Sequence, residues 1–265
     1  MHAMFLAIAA AADPVGATEV ASVAGAGVAA DRPQTATGPR PNRDADGIPA
    51  QQAVTKAVAL GGMMSIVSDY RMRGVSQSRG NATVQGSFEL SSRNGAYAGT
   101  WASSISPSAG GGAHAQVDVY GGYRRTFGGL DLDVGLTSTF YPGADHASSA
   151  EFYGSIGSDL NGTKLKTGVG CTPQQDELGT HDGLYLFVDA ERDLPGTPVV
   201  MRAHIGRETG VNTVAGAQKI DVMLAAEVAV GPATLSAAYV DSRMHKAPPA
   251  ARGGGVLVLA ATMGF

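Results

Sequence analysis

From Leu60 to Phe265 polar and apolar residues alternate with a period of two, the mark of strands whose two faces meet different surroundings. Over residues 61–73, Met64, Ile66, Tyr70 and Met72 share one phase and Ser65, Asp69, Arg71 and Arg73 the other. Leu132, Val134, Leu136 and Phe140 oppose Asp131, Asp133, Thr137 and Thr139; Ile220, Val222, Leu224 and Val228 oppose Lys219, Asp221 and Glu227. Val199, Met201, Ala203 and Ile205 likewise oppose Arg202 and His204. Twelve such stretches are predicted, over residues 61–73, 82–92, 96–104, 114–126, 130–141, 149–159, 163–171, 183–193, 198–207, 217–230, 233–242 and 252–265. No helical pattern covers the apolar phase, and the charged phase cannot form a core. A closed antiparallel up-and-down transmembrane β-barrel, apolar outside and polar inside, reconciles both.

The connections agree. Asn94-Gly95, Gly128-Gly129, Asn161-Gly162, Pro195-Gly196 and Gly231-Pro232 join strands tightly, since glycine reaches positive φ without strain. The joins at residues 106–113, 142–148, 172–182 and 243–253 are longer. Tight periplasmic turns alternating with longer external loops are a habit of outer-membrane barrels, and an even strand count puts both chain ends on the periplasmic side. The charged phase is assigned to the lumen, because an Arg or Lys facing lipid at mid-depth costs about 2–4 kcal/mol. Around Trp101 neither phase is clearly apolar, so that strand's facing stays open.

Three groups of residues carry a family resemblance. The run from Val67 to Gln77 (VSDYRMRGVSQ), then Val84-Gln85-Gly86, then Tyr97 to Ser103 (YAGTWAS) resembles the opening of the TorF-type porin family. Asp118-Val119-Tyr120-Gly121-Gly122-Tyr123, Tyr141-Pro142-Gly143 and Glu151-Phe152-Tyr153 are similar to its later landmarks, in the same order. Gln116 stands where an acidic residue would be expected. The resemblance implies a barrel in the outer membrane of a Gram-negative bacterium more than it implies a substrate.

Residues 4–12 (MFLAIAAAA) resemble the apolar part of a secretory signal, which assigns residues 1–17 to a signal segment. Residues 18–59, rich in Ala, Pro, Gly and Thr, read as a flexible linker with a helical tendency near residues 50–59, and residues 60–265 as the barrel. High glycine (37 residues) and low charge (16%) suit an all-β chain. A net charge of -4 with scattered charges gives no field for nucleic acid. The single cysteine, Cys171, lies in the phase of Leu165 and Val169 and reads as a small apolar residue rather than a reactive thiol. At the C-terminus, Leu257, Leu259, Ala261, Met263 and the final Phe265 resemble the signal read by barrel assembly machinery.

The pore-lining candidates follow from phase. They are Asp69, Arg71, Arg73 and Glu89; Asp118, Arg124, Asp131 and Asp133; Glu151, Lys164, Lys166, Asp189 and Glu191; and Arg202, His204, Lys219, Asp221 and Glu227. Opposed charges across a lumen set which solutes pass, while cross-strand pairing of the same groups would serve only to hold the wall. The tyrosines at 70, 120, 123, 141, 153, 185 and 239, with Trp101, are expected in interfacial girdles and packing. His114, His146, His181 and His245 are expected in loops, without metal-ligand spacing, and no Gly-x-Ser-x-Gly elbow or P-loop is present. The expected function is passive diffusion of small polar solutes or ions, with no cofactor, outer-membrane lipid around the barrel and an open question of oligomeric state. The rivals are a non-conducting structural or surface-interaction barrel, an outer-membrane hydrolase relying on His204, and a soluble ligand-binding barrel.

Overall fold

In the computed structural model, residues 58–144, 148–175, 182–210, 213, 217–245 and 254–265 are described. The chain enters as β1 (Val58–Val67), and a small hairpin follows, β2 (Arg71–Met72) and β3 (Val75–Ser76). Next come β4 (Thr83–Ser92), β5 (Ala96–Ser104), β6 (Ala115–Phe127), β7 (Leu130–Phe140), β8 (Ser149–Leu160) and β9 (Thr163–Thr172). The wall is completed by β10 (Gly183–Asp193), β11 (Val199–Gly210), β12 (Gln218–Val230), β13 (Ala233–His245) and β14 (Val256–Gly264).

Twelve of these strands, β1 and β4 to β14, close into one antiparallel barrel, each beside its sequence neighbour. The seam is β1 against β14, with Met63 opposite Gly264 and Val67 opposite Ala260. Closure matters because an open margin would leave a row of N–H and C=O groups unpaired, which hydrocarbon does not tolerate. Among the described residues no helix is long and apolar enough to cross a membrane, a fact with no bearing on crossing by strands.

The tight joins lie where expected, with Gly95, Gly128, Gly129, Asn161, Gly162, Gly196 and Gly231 all at positive φ. They gather at the end of the barrel where β1 begins and β14 finishes, and the longer connections gather at the other. The expected phases hold for β7, β11 and β12. Val134, Ile205 and Leu224 point outward and are exposed, whereas Thr139, Glu208 and Asp221 point inward and are buried. Leu60, Ile66, Val84, Phe88, Leu257 and Met263 extend the same apolar outer surface around the seam. Cys171 is exposed on that outer face, opposite Phe152 in register.

Four expectations need correction. The first strand does not run over 61–73: it starts at Val58, inside the stretch expected to be linker with a helical tendency, and ends at Val67. The alternation continues past Val67 because a second, separate hairpin carries it on. Tyr70 and Met72 are therefore buried inside the barrel with Trp101, Ile105, Ala113 and Tyr141, not exposed beside Met64 and Ile66. Second, the aromatic residues divide. Tyr123 and Tyr239 are exposed, but Tyr70, Tyr141, Tyr185 and Trp101 are buried, which also fixes the facing of β5 inward. Third, the interior is not polar all round: Met223, Ala225, Ala238, Val240 and Val258 form an apolar patch on the inner wall of β12 to β14. Fourth, His245 belongs to the end of β13 rather than to a loop, while His146, His181, the expected signal segment and all of the expected linker before Val58 lie outside the described residues.

Candidate functional site

After Val67 the chain leaves the wall, and residues 68–82 turn into the barrel. Asp69 organises this excursion. Its carboxylate accepts hydrogen bonds from the Ser76 and Ser78 hydroxyls, from Arg71 Nε at 2.6 Å and from the Gly80 amide at 3.2 Å. Burial disfavours its charge, but the bonds from Ser76, Arg71 and Ser78 outweigh that and hold the carboxyl below the ordinary aspartate range. β2 and β3 pair as Arg71 with Ser76 and Met72 with Val75, leaving Arg73 and Gly74 as a two-residue turn. Both have positive φ, 47° and 78°, the backbone of a type I′ hairpin. For a residue with a Cβ such a φ costs about 1–2 kcal/mol, so something must hold Arg73 there.

What holds it is the far wall. Arg73 Nη2 donates to both oxygens of Glu151 on β8, at 2.9 and 3.0 Å, and Nη1 to Glu208 Oε1 on β11, at 2.6 Å. Its guanidinium carbon lies 4.0 Å from the centroid of the Tyr185 ring on β10, a cation–π contact in a dry setting. Glu208 is also paired to Lys219 on β12, and Glu151 accepts from Thr172 on β9. Arg73, Glu151 and Glu208 are each only 1% exposed. Beside the tip, Ser242 Oγ on β13 donates to Gly74 O, and a Cβ at Gly74 would lie 2.5 Å from Ser242 Cβ. The flank of the hairpin is held on the near side, where Tyr70 OH donates to Gln116 on β6 and its ring meets Trp101 edge-on at 5.3 Å. The hairpin thus spans the barrel from the β1/β4 side to the wall of β8 to β13.

Gln116, fully buried, donates through its amide to both oxygens of Asp118. An acidic residue at 116 would set a second carboxylate against Asp118, whereas the amide supplies the donor that Asp118 needs. Gln116 thus has a physical role at a position where the resemblance led to an acidic residue being expected.

The remaining candidates form two groups nearer the tight-turn end and one midway. Arg124 pairs with Glu89 and Asp133, at 3.3 and 3.5 Å, and stands 4.0 Å over the Tyr97 ring. Arg202 bridges Glu191 and Glu227, at 2.8 and 3.1 Å, with Lys164 beside Glu191. Midway, His204 is engaged at both ring nitrogens, Nδ1 to Asp189 at 2.6 Å and Nε2 to Tyr185 OH at 2.7 Å and Asp221 at 3.1 Å, and Lys166 pairs with Asp189. That saturation fits a wall-bracing imidazole better than a base waiting for a nucleophile. Asp131 accepts from Thr126 near a tight turn, apart from these groups. Among the described residues no group of His, Cys, Asp and Glu is arranged to hold a metal ion.

Sequence reasoning brought Arg73, Glu151, Lys219 and Asp221 forward but missed Glu208 and placed Tyr185 in a girdle. The signal for Glu208 was available: Arg202, His204, Gly206 and Glu208 stay in one phase, and β11 runs to Gly210 rather than to residue 207.

The model of a family described as "Bacterial protein of unknown function (Gcw_chp)" matches residues 51–261. Among curated proteins none matches the chain. Of solved structures, the KdgM porin is similar with a TM-score of 0.52 at 6% identity, over 78% of this chain and 98% of that one. The NanC porin gives 0.48 at 10% identity, over 78% and 98%, and the outer membrane protein opdK from Pseudomonas aeruginosa 0.44 at 12%, over 82% and 68%. The likeness to the KdgM porin is one of fold: a closed barrel.

Proposed function

Starting from the fact that this chain belongs to the Gcw_chp family, whose description assigns no function, we propose that it is a porin-like channel of the Gram-negative outer membrane, a family member of the TorF type. It passes small polar solutes or ions by diffusion, with no cofactor. The observation that carries the reading is the pairing of an apolar outer surface, from Leu60 and Ile66 to Leu257 and Met263, with an inner face of ionised side chains. In water the outer face would be a large exposed apolar surface of the kind that marks a membrane or partner contact. In lipid it is the only face that does not incur the cost of burying charge.

In this reading the pore-lining set divides by position. Arg124 with Glu89 and Asp133, Arg202 with Glu191 and Glu227, and Lys164, Lys166, Asp189 and His204 line the tight-turn half. Asp118, Glu151, Lys219 and Asp221, with Arg73 brought in by the hairpin, form the constriction. Asp69 and Arg71 shape the hairpin from within, and Asp131 stands at the rim. Export by an N-terminal signal and assembly through the C-terminal Phe265 belong to the same proposal; Phe265 is bonded to Gly62 in both directions, at 2.9 and 3.0 Å, which makes the last residue part of the seam.

A second reading, a non-conducting structural barrel, is favoured by the burial of Arg73. Planar-bilayer recordings on the refolded chain separate the two. Discrete conductance steps support the channel; folded protein that stays silent, including with the hairpin tip removed, supports the structural barrel.

A further inference from the structure

Resting on the channel reading, we propose that Glu151, Glu208 and the Tyr185 ring form a seat for a guanidinium-type organic cation and that Arg73 fills this seat as a tethered occupant, so that a free cation of this chemistry enters it only when the Arg73 side chain is withdrawn or absent.

The seat belongs to the wall, not to the hairpin. Its three components come from β8, β11 and β10, each fixed in the barrel ladder. Glu151 presents two oxygens to one guanidinium nitrogen and Glu208 one oxygen to another, while the Tyr185 face lies 4.0 Å from the central carbon. Carboxylates along two edges and an aromatic ring under the plane match a flat cation with several donors. A compact ammonium meets the charge but not the fork, and an anion meets neither.

The present occupant fits incompletely. Arg73 Nε has no hydrogen-bond partner among the described residues, and the backbone behind it is held at φ 47°. A free guanidinium compound would take up the seat without the backbone penalty. The surrounding charge points the same way. Asp118, Glu151, Glu208 and Asp221 bring four carboxyl groups to this level of the barrel, against Arg73 and Lys219. With the Arg73 side chain absent, four carboxyl groups face one ammonium and the His204 imidazole beside Asp221.

The test uses the full chain with Arg73→Gly, which removes the side chain and accepts the left-handed backbone. Methylguanidinium is titrated calorimetrically into the detergent-folded protein, with urea and methylammonium as controls. Saturable one-to-one binding is expected in Arg73→Gly, undetectable in the parent protein and at least tenfold weaker when Glu208→Gln is added. No saturable signal in folded Arg73→Gly, or equal binding by the parent, overturns the seat. If Arg73→Gly does not fold alone, millimolar methylguanidinium should restore refolding where urea and methylammonium do not, and failure to do so overturns the seat equally. In bilayers under a salt gradient, Arg73→Gly is expected to conduct with preference for cations and to be partly blocked by methylguanidinium. Binding without any conductance would retain the seat and sink the channel reading; conductance without binding would retain the channel and sink the seat.

Discussion

Arg73 and Glu208 are separated by 135 positions in the chain and by 2.6 Å in the structure, with both side chains almost wholly out of solvent. No local preference brings them together. Their pairing is a statement about the whole barrel, because it joins the excursion after β1 to the eighth strand after it around the wall.

Removing one partner of such a pair leaves the other charge buried and uncompensated. Glu208→Ala strands Lys219 and leaves Arg73 with Glu151 alone, and should destabilise the barrel by about 3–5 kcal/mol, measured by urea unfolding in lipid vesicles. Arg243→Ala, which removes an 84% exposed partner of Asp241, should change stability by less than about 1 kcal/mol. Equal effects would mean that the inner pair contributes no more than a surface one.

Asp69 sets an acid limit for the hairpin. Its carboxyl titrates lower in the folded protein than in the unfolded chain. Its contribution is therefore complete above the unfolded value of about 3.9 and is lost as pH falls through the lower folded value. Amide exchange of residues 69–80 should accelerate selectively below about pH 4, and Asp69→Asn should show the faster exchange already at neutral pH. Pattern and rate unaffected by either change would remove Asp69 from its organising role.

The outer surface makes an independent prediction. Val134→Arg places a charge against lipid near the middle of β7 and should cost about 2–4 kcal/mol in vesicle unfolding titrations. Val58→Arg, at the start of β1, should cost about 0–1 kcal/mol. A flat response along the strands would contradict a bilayer around this face.

Trp101 is the chain's one tryptophan, and it is buried against Tyr70. Its emission should be blue-shifted and insensitive both to brominated lipid, because it faces inward, and to iodide, because the hairpin covers it. Tyr70→Ala should shift the emission to the red and admit iodide. Quenching by brominated lipid in the parent protein would reverse the facing of β5.

Much of the wall was legible in the sequence because the two phases meet such different media. The spans 96–104 and 183–193 match β5 and β10 to the residue, and the glycine pairs located the tight joins. The hairpin was not legible for a related reason. Period-two alternation marks extended chain but not which sheet the chain joins, so Asp69, Arg71 and Arg73 read as more of the first strand. Arg73-Gly74 was the available signal, since a glycine after a residue able to take positive φ suits a two-residue turn. The apolar inner patch was hidden differently. Ala238, Val240 and Val258 alternate with the outward Ala237, Tyr239, Leu257 and Leu259, so these stretches are apolar in both phases and only the partner across the interior decides which side is which.

The position of the seam has a consequence for how the object is made. β1 is both one lip of that seam and the root of the inserted hairpin, while β14 forms the other lip. Until β14 docks, the nascent tube is slit along its length beside the hairpin's base. Pairing of β14 with β1 closes the wall beside the point where the hairpin enters, so closure of the barrel and enclosure of the hairpin are a single event.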